Sequence, residues 1–362
     1  MKDLEWLNIF INYYEKKFKE NILINKNEKG FYTNPLYIGY KITERCNQCC
    51  KHCWAGKSTN THSYIEIIEA INKLEVLKPY LFAFTGGEPF IREDFLNILE
   101  YSVPKFPVIE ILTNGTLLTE DIIRKLSHIL KKNDVVHVSL DGLRSAYLKQ
   151  RQSDDFFKVV KNIKYLKKYN INVRVHMTIT EINVDDMVDV YKLCRKIQVD
   201  HFSVNFVYPL RKGVKYFDKS IMNKYLHNIS LIKKYNIKST FDFKYFIPWI
   251  KASENASPSY NLFTYYFNDD ILHWTIDGDG NIYNYMDYFK HEELNVGNIY
   301  ENSVEELMSN NRKVQKRILY RDLSNENCKF CNMLATCGGG NIMSVYPTIN
   351  KKAEGCKFEY KI

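Results

Sequence analysis

From residue 37 to about 245, short apolar runs rich in β-branched and aromatic residues alternate with longer stretches whose apolar positions recur three and four apart. The runs at 37–43, 80–86, 107–113, 135–140, 171–180 and 201–208 predict strands. The stretches near 62–78, 92–102, 119–132, 155–169, 183–197 and 218–235 predict helices, as Ile65, Ile68, Ala70, Ile71, Leu74 and Leu77 illustrate. Six strand-then-helix units imply an α/β fold with a parallel sheet and helices outside it, as an open sheet or a partial (β/α)6 barrel of TIM type. In such a fold the loops after the strand C-terminal ends carry the chemistry.

Beyond about 245 the alternation stops. TIDGDGNIYNYM reads as a hairpin with a Gly-rich turn, and a helix near 303–318 has Ser303 as its cap and Glu306 to close a capping box. The end is loop-rich and Cys-rich. Residues 1–36 read as one amphipathic helix and a connector, so the expected division is 1–36, 37–245 and 246–362.

Composition narrows the function. No run of about 18 apolar residues predicts a membrane span. The start, MKDLEWLNIFINYYEKKFKE, has charges on both sides of a short apolar stretch and no small-residue cleavage site, so it does not read as a secretory signal. A cytoplasmic protein with no membrane partner is expected. The net charge of +9 invites a nucleic-acid reading, but only 11 of the 51 basic residues are Arg, the better tool for bidentate recognition. The Lys residues are spread through helical stretches, so no nucleic-acid partner is expected. The nine cysteines form two knots, 46–53 and 328–356, with Cys194 alone between them. Clustered cysteines in a cytosolic protein point to metal rather than disulfide.

The first knot follows the first strand and reads Cys46-Asn-Gln-Cys49-Cys50-Lys-His52-Cys53. Cys46, Cys50 and Cys53 make a C-x3-C-x2-C pattern, which resembles the radical S-adenosylmethionine superfamily. Three thiolates on a tight loop can hold three irons of a [4Fe–4S] cube and leave the fourth open. The same residues are also two abutting C-x2-C pairs, a zinc-like pattern, but without a spacer four thiolates struggle to surround one ion. Cys49 is then a bystander. The resemblance implies that the open iron chelates S-adenosylmethionine and that the cluster's electron splits it to methionine and a 5′-deoxyadenosyl radical. It also implies that His52, where Tyr or Phe is commoner, lies near the adenine.

Other strand ends agree. Gly86-Gly87-Glu88-Pro89 matches the family's GGEP signature, in which Gly lets backbone approach the ligand and the carboxylate receives an ammonium. Thr113-Asn114-Gly115 and Ser139-Leu140-Asp141-Gly142 end the third and fourth strands. By resemblance, Ser139 and Arg151 hold the cofactor's carboxylate; their bland alternative is a strand cap and a solvated charge. His137 and His176 read as hydrogen-bonded core histidines, and Cys194 as packing.

The second knot is Cys328, Cys331, Cys337 and Cys356, a complete ligand set suited to a closed site. It resembles the SPASM extension of radical S-adenosylmethionine enzymes, which carries auxiliary clusters. Tyr285 and Asn341 stand where the full extension has further cysteines, so the resemblance implies two [4Fe–4S] clusters in all. Structural zinc at the four thiols is the alternative. Asp287 is a candidate proton acceptor, with an exposed turn carboxylate as its alternative.

Enzymes with this layout mostly act on ribosomally made peptides, forming crosslinks, thioethers or epimers or oxidising a residue, and draw electrons from a flavodoxin- or ferredoxin-type donor. Small-molecule chemistry, such as sugar dehydrogenation or porphyrin side-chain modification, is the second expectation. A non-catalytic iron–sulfur electron carrier is the third, opposed by the cofactor-pocket motifs. The aromatic-rich segment 241–268 is a candidate lining for a peptide groove.

Overall fold

The six apolar runs become strands β1 (Tyr37–Lys41), β2 (Leu81–Thr85), β3 (Val108–Thr113), β4 (Val135–Ser139), β5 (Val173–Ile179) and β6 (His201–Phe206), joined by a seventh, β7 (Asp242–Tyr245). All six neighbouring pairs in the order β1 to β7 run parallel. The helices between them are α1 (Tyr64–Val76), α2 (Phe95–Ser102), α3 (Glu120–Ile129), α4 (Arg144–Arg151), α5 (Phe156–Lys168), α6 (Met187–Lys196) and α7 (Lys219–Asn236). The computed structural model describes residues 34–35, 37–53, 62–206, 219–236, 242–245, 273–284 and 292–319. It divides into a unit of residues 37–246 with 276–280, and a second unit made of the rest.

Strand alternation decides which way each side chain faces. On β5, Val173, Val175, Met177 and Ile179 are wholly buried, as are Val136 and Val138 on β4 and Phe82 and Phe84 on β2. This face meets the apolar stripes of the helices, such as Ile67, Ile71 and Leu74 of α1 and Phe95, Ile98 and Leu99 of α2. Phe82 stacks on Phe106 at 4.2 Å, and Phe84 meets Phe95 edge-on at 5.6 Å. Each such buried side chain contributes about 1.5–3 kcal/mol. The opposite, inner face is polar and half-buried: His137, Ser139, Arg174, His176 and Thr178 lie on it. Helix starts are set locally. Ser63 and Glu66 form a capping box at α1, and Thr119 caps α3 through Ile122 N.

Later in the chain, β8 (His273–Ile276) neighbours β9 (Asn281–Tyr283), which pairs antiparallel with β10 (Asn295–Asn298). The expected hairpin is there. Helix α8 (Val304–Leu319) begins at the expected capping box, Ser303 N donating to Glu306 Oε2 and Glu306 N to Ser303 Oγ. Buried Trp274 donates through Nε1 to Asn311 Oδ1 at 3.0 Å, which also accepts from Asn284. No helix among the described residues is long and apolar enough to cross a membrane.

Candidate active site

The loop after β1 continues pairing with the end of β2 beyond the strands themselves. Ile42 N donates to Thr85 O at 3.2 Å, Gly87 N to Thr43 O at 2.8 Å and Glu88 N to Arg45 O at 2.9 Å. Gly86 has φ of +135°, and a Cβ there or on Gly87 would overlap the carbonyl oxygen of Thr43 or Arg45. These glycines therefore let the cysteine loop's own backbone lie against β2, a nearer cause than ligand approach. Farther along, Lys51 N donates to Gln150 O of α4 at 2.9 Å.

Glu88 joins the ends of β2 and β3. It is wholly buried, with Oε1 accepting from Thr113 Oγ1 (2.8 Å) and Phe90 N (3.2 Å) and Oε2 from Asn114 N (2.7 Å). Burial pushes its carboxyl up to about 7 in spite of these donors. Asn114 then reaches back to the cysteine loop, donating through Nδ2 to Asn47 Oδ1 at 2.9 Å and lying 3.9 Å from Cys46 Sγ. Asn47 in turn donates to Thr116 Oγ1 at 2.8 Å.

The loop's four cysteines are free thiols: Cys46 and Cys49 exposed, Cys53 half-buried and Cys50 buried. Burial pushes the Cys50 thiol up to about 11, and the charges of Cys46 and Cys53 add to that rise, so the three feel one another. As they stand, no three Cys, His, Asp or Glu side chains among the described residues converge tightly enough to hold a metal ion. The donor chemistry nevertheless fits an iron–sulfur cube: three soft thiols on one short loop whose backbone is fixed at both ends. Exposure does not separate Cys49 from Cys46, so the choice between them rests on spacing.

Arg151 ends α4 and is buried, with Asp141 and Gln48 as its partners. Ser139 is half-buried on β4, beside His176 in register, and is not among them. His52 lies near the same carboxylate, its Nε2 3.4 Å from Asp141 Oδ2, while its buried Nδ1 has no hydrogen-bond partner. Burial brings His52 down to about 4, so it is neutral near pH 7. Burial works against Asp141's charge, yet Arg151, His52 and the Thr178 amide hold its carboxyl below the ordinary range. In the sequence Asp141 and Asn114 stand within the strand-end motifs and Gln48 within the cysteine loop, and no spacing marks any of the three.

The two histidines lie half-buried on the inner face of the sheet. His176 Nδ1 meets Ser203 Oγ at 2.9 Å, and His137 Nδ1 lies 3.3 Å from Glu110 Oε1, which also accepts from Arg174 Nη1 at 2.6 Å. Cys194 is wholly buried on α6, as packing requires. Asp287, Cys328, Cys331, Cys337, Cys356, Tyr285, Asn341, the expected helix of 1–36 and nearly all of 241–268 lie outside the described residues.

The model of the Radical SAM superfamily matches residues 40–194, from β1 into α6. That segment is a radical SAM domain. The antilisterial bacteriocin subtilosin biosynthesis protein AlbA of Bacillus subtilis is 29% identical over 184 residues, 49% of this chain. The match spans 41% of AlbA's own length. The sporulation killing factor maturation protein SkfB of the same species is 24% identical over 299 residues, 82% of this chain and 68% of SkfB. In fold, the chain resembles SuiB of Streptococcus suis, solved bound to S-adenosylmethionine: the TM-score is 0.75 at 16% identity, over 93% of this chain and 80% of SuiB. The parallel sheet with outer helices is thus the partial barrel of radical SAM structures.

Proposed function

We propose that Cys46, Cys50 and Cys53 hold a [4Fe–4S] cluster beside S-adenosylmethionine and that the chain modifies a ribosomally made peptide. What carries the reading is one convergence: the cysteine loop is laced to the ends of β2 and β3, and Glu88 and Arg151 sit in that lacing. When bound, the cluster supplies the electron that splits the sulfonium of S-adenosylmethionine, giving methionine and a 5′-deoxyadenosyl radical that takes hydrogen from the substrate.

The chain's own groups bind and orient. Arg151 offers its guanidinium to the cofactor's carboxylate, with Ser139 on the neighbouring strand end as a second donor. Protein donors fill three of the roughly four acceptor positions of the Glu88 carboxylate, leaving one for an ammonium. His52 stands beside the adenine. Outside the described residues, Cys328, Cys331, Cys337 and Cys356 hold a second cluster, and a flavodoxin- or ferredoxin-type donor supplies electrons.

A peptide substrate is supported by AlbA and SkfB, whose names speak of bacteriocin biosynthesis and killing-factor maturation. The test is anaerobic incubation of the reconstituted protein with dithionite, S-adenosylmethionine and candidate precursor peptides, read by mass spectrometry. The expected result is 5′-deoxyadenosine together with a peptide that has lost hydrogen. Hydrogen loss from a sugar or a porphyrin, and from no peptide, would move the reading to small-molecule chemistry. Absence of 5′-deoxyadenosine would refute it altogether.

A further inference from the structure

Asp141 touches three elements at once. Its Oδ2 receives both Nε and Nη2 of Arg151, each at 2.6 Å, and faces His52 Nε2 at 3.4 Å. Its Oδ1 accepts from Thr178 N, at the end of β5, at 2.6 Å. The carboxylate has no solvent exposure, so its charge persists because the Arg151 cation neutralises it and the Thr178 amide donates to it.

A guanidinium has two edges that can grip a carboxylate, one formed by Nε with Nη2 and the other by Nη1 with Nη2. Asp141 occupies the first. Of the second, Nη1 has among the described residues a hydrogen-bond contact to Gln48 Oε1 at 3.5 Å, a long one, with Cys50 and Tyr147 as its electrostatic neighbours. That same Gln48 oxygen lies 3.8 Å from Cys50 Sγ. Arg151 therefore keeps one edge against the fold and turns the other, barely satisfied, toward the cysteine loop.

We propose that Asp141 is a positioning residue for a carboxylate-bearing ligand. By filling the Nε edge of Arg151 it fixes the direction in which the Nη1 edge points, and by facing His52 it ties that direction to the loop that bears the thiols. The inference rests on the reading above in which Arg151 receives the carboxylate of S-adenosylmethionine. A mere structural counter-charge would behave differently, because its loss would weaken every ligand of the site alike.

Two thioether nucleosides make the distinction. S-adenosylhomocysteine carries the carboxylate; 5′-methylthioadenosine keeps the adenosine and lacks the amino-acid end. Their binding to the full-length reconstituted protein is measured by calorimetry for wild type, Asp141→Asn and Arg151→Ala. Asp141→Asn is expected to weaken S-adenosylhomocysteine roughly 10- to 100-fold and 5′-methylthioadenosine less than about threefold. Should Asp141→Asn fail to fold, Asp141→Glu, charged but displaced, is expected to show the same selective loss. Equal loss of both ligands overturns the proposal, as does an unchanged affinity of the Asp141 variants where Arg151→Ala loses S-adenosylhomocysteine. If Arg151→Ala binds S-adenosylhomocysteine as the wild type does, the carboxylate reading of Arg151 itself fails.

Discussion

Replacing Glu88 with Gln separates the charge of the buried clamp from its shape. Burial raises this carboxyl from its ordinary 4.5 to about 7 even though Thr113, Asn114 and Phe90 donate to it. The folded protein therefore keeps the proton to a higher pH than the unfolded chain does. The stability linked to that proton is fully present below about pH 4.5 and is lost as the pH rises through about 7. At about 1.4 kcal/mol per pKa unit, the loss is about 3 kcal/mol. Glutamine cannot ionise, so Glu88→Gln escapes it. Denaturant unfolding of the metal-free protein, followed by circular dichroism at several pH values from 4.5 to 8, measures the difference. Wild type should lose about 3 kcal/mol relative to Glu88→Gln across that range, while Glu88→Gln binds S-adenosylhomocysteine more weakly because the ammonium's carboxylate is gone. A stability difference that stays flat with pH, or a wild type that gains with rising pH, would show that burial does not raise the carboxyl. The three donors would then outweigh burial.

Other substitutions test the scaffold around the site. Gly87→Ala drives a Cβ into the backbone of Arg45; it should cost at least about 2 kcal/mol and lower the iron bound after reconstitution, whereas wild-type iron with unchanged melting would contradict this. Ser63→Ala breaks the α1 capping box and should cost about 1 kcal/mol in denaturant unfolding, with iron content untouched. Glu110→Ala strands the Arg174 guanidinium and should cost on the order of 3 kcal/mol, while Glu110→Leu combined with Arg174→Met should recover most of that loss.

The six strands and most helices were legible because each buries one face against the next layer, and that burial writes its period into the sequence. Strand β7 was not, because Asp242–Tyr245 is four residues long and carries Asp and Lys. Helix α4 was not legible either, because the mainly polar stretch Arg144–Arg151 shows only a short apolar stripe. The polar partners of the inner face were hidden for a different reason. Glu110 and Arg174 look like the solvent side of alternating strands, and only the strand order, which sets β3 and β5 on either side of β4 with both side chains on the inner face, brings them together. Pairing across the fold likewise gathers the partners of Asp141. Its partners Arg151, His52 and Thr178 come from three separate segments, and no spacing in the sequence announces that they meet.

On the reading proposed above, three thiols of one loop hold the cluster that cleaves S-adenosylmethionine. That cleavage is measured most directly as 5′-deoxyadenosine released under dithionite by the anaerobically reconstituted protein, together with iron per chain. Wild type is compared with a Cys46→Ala, Cys50→Ala, Cys53→Ala variant and with Cys49→Ala. The triple variant should release none and lose roughly four irons, and Cys49→Ala should match wild type. Release by the triple variant, or its loss in Cys49→Ala alone, would contradict the account.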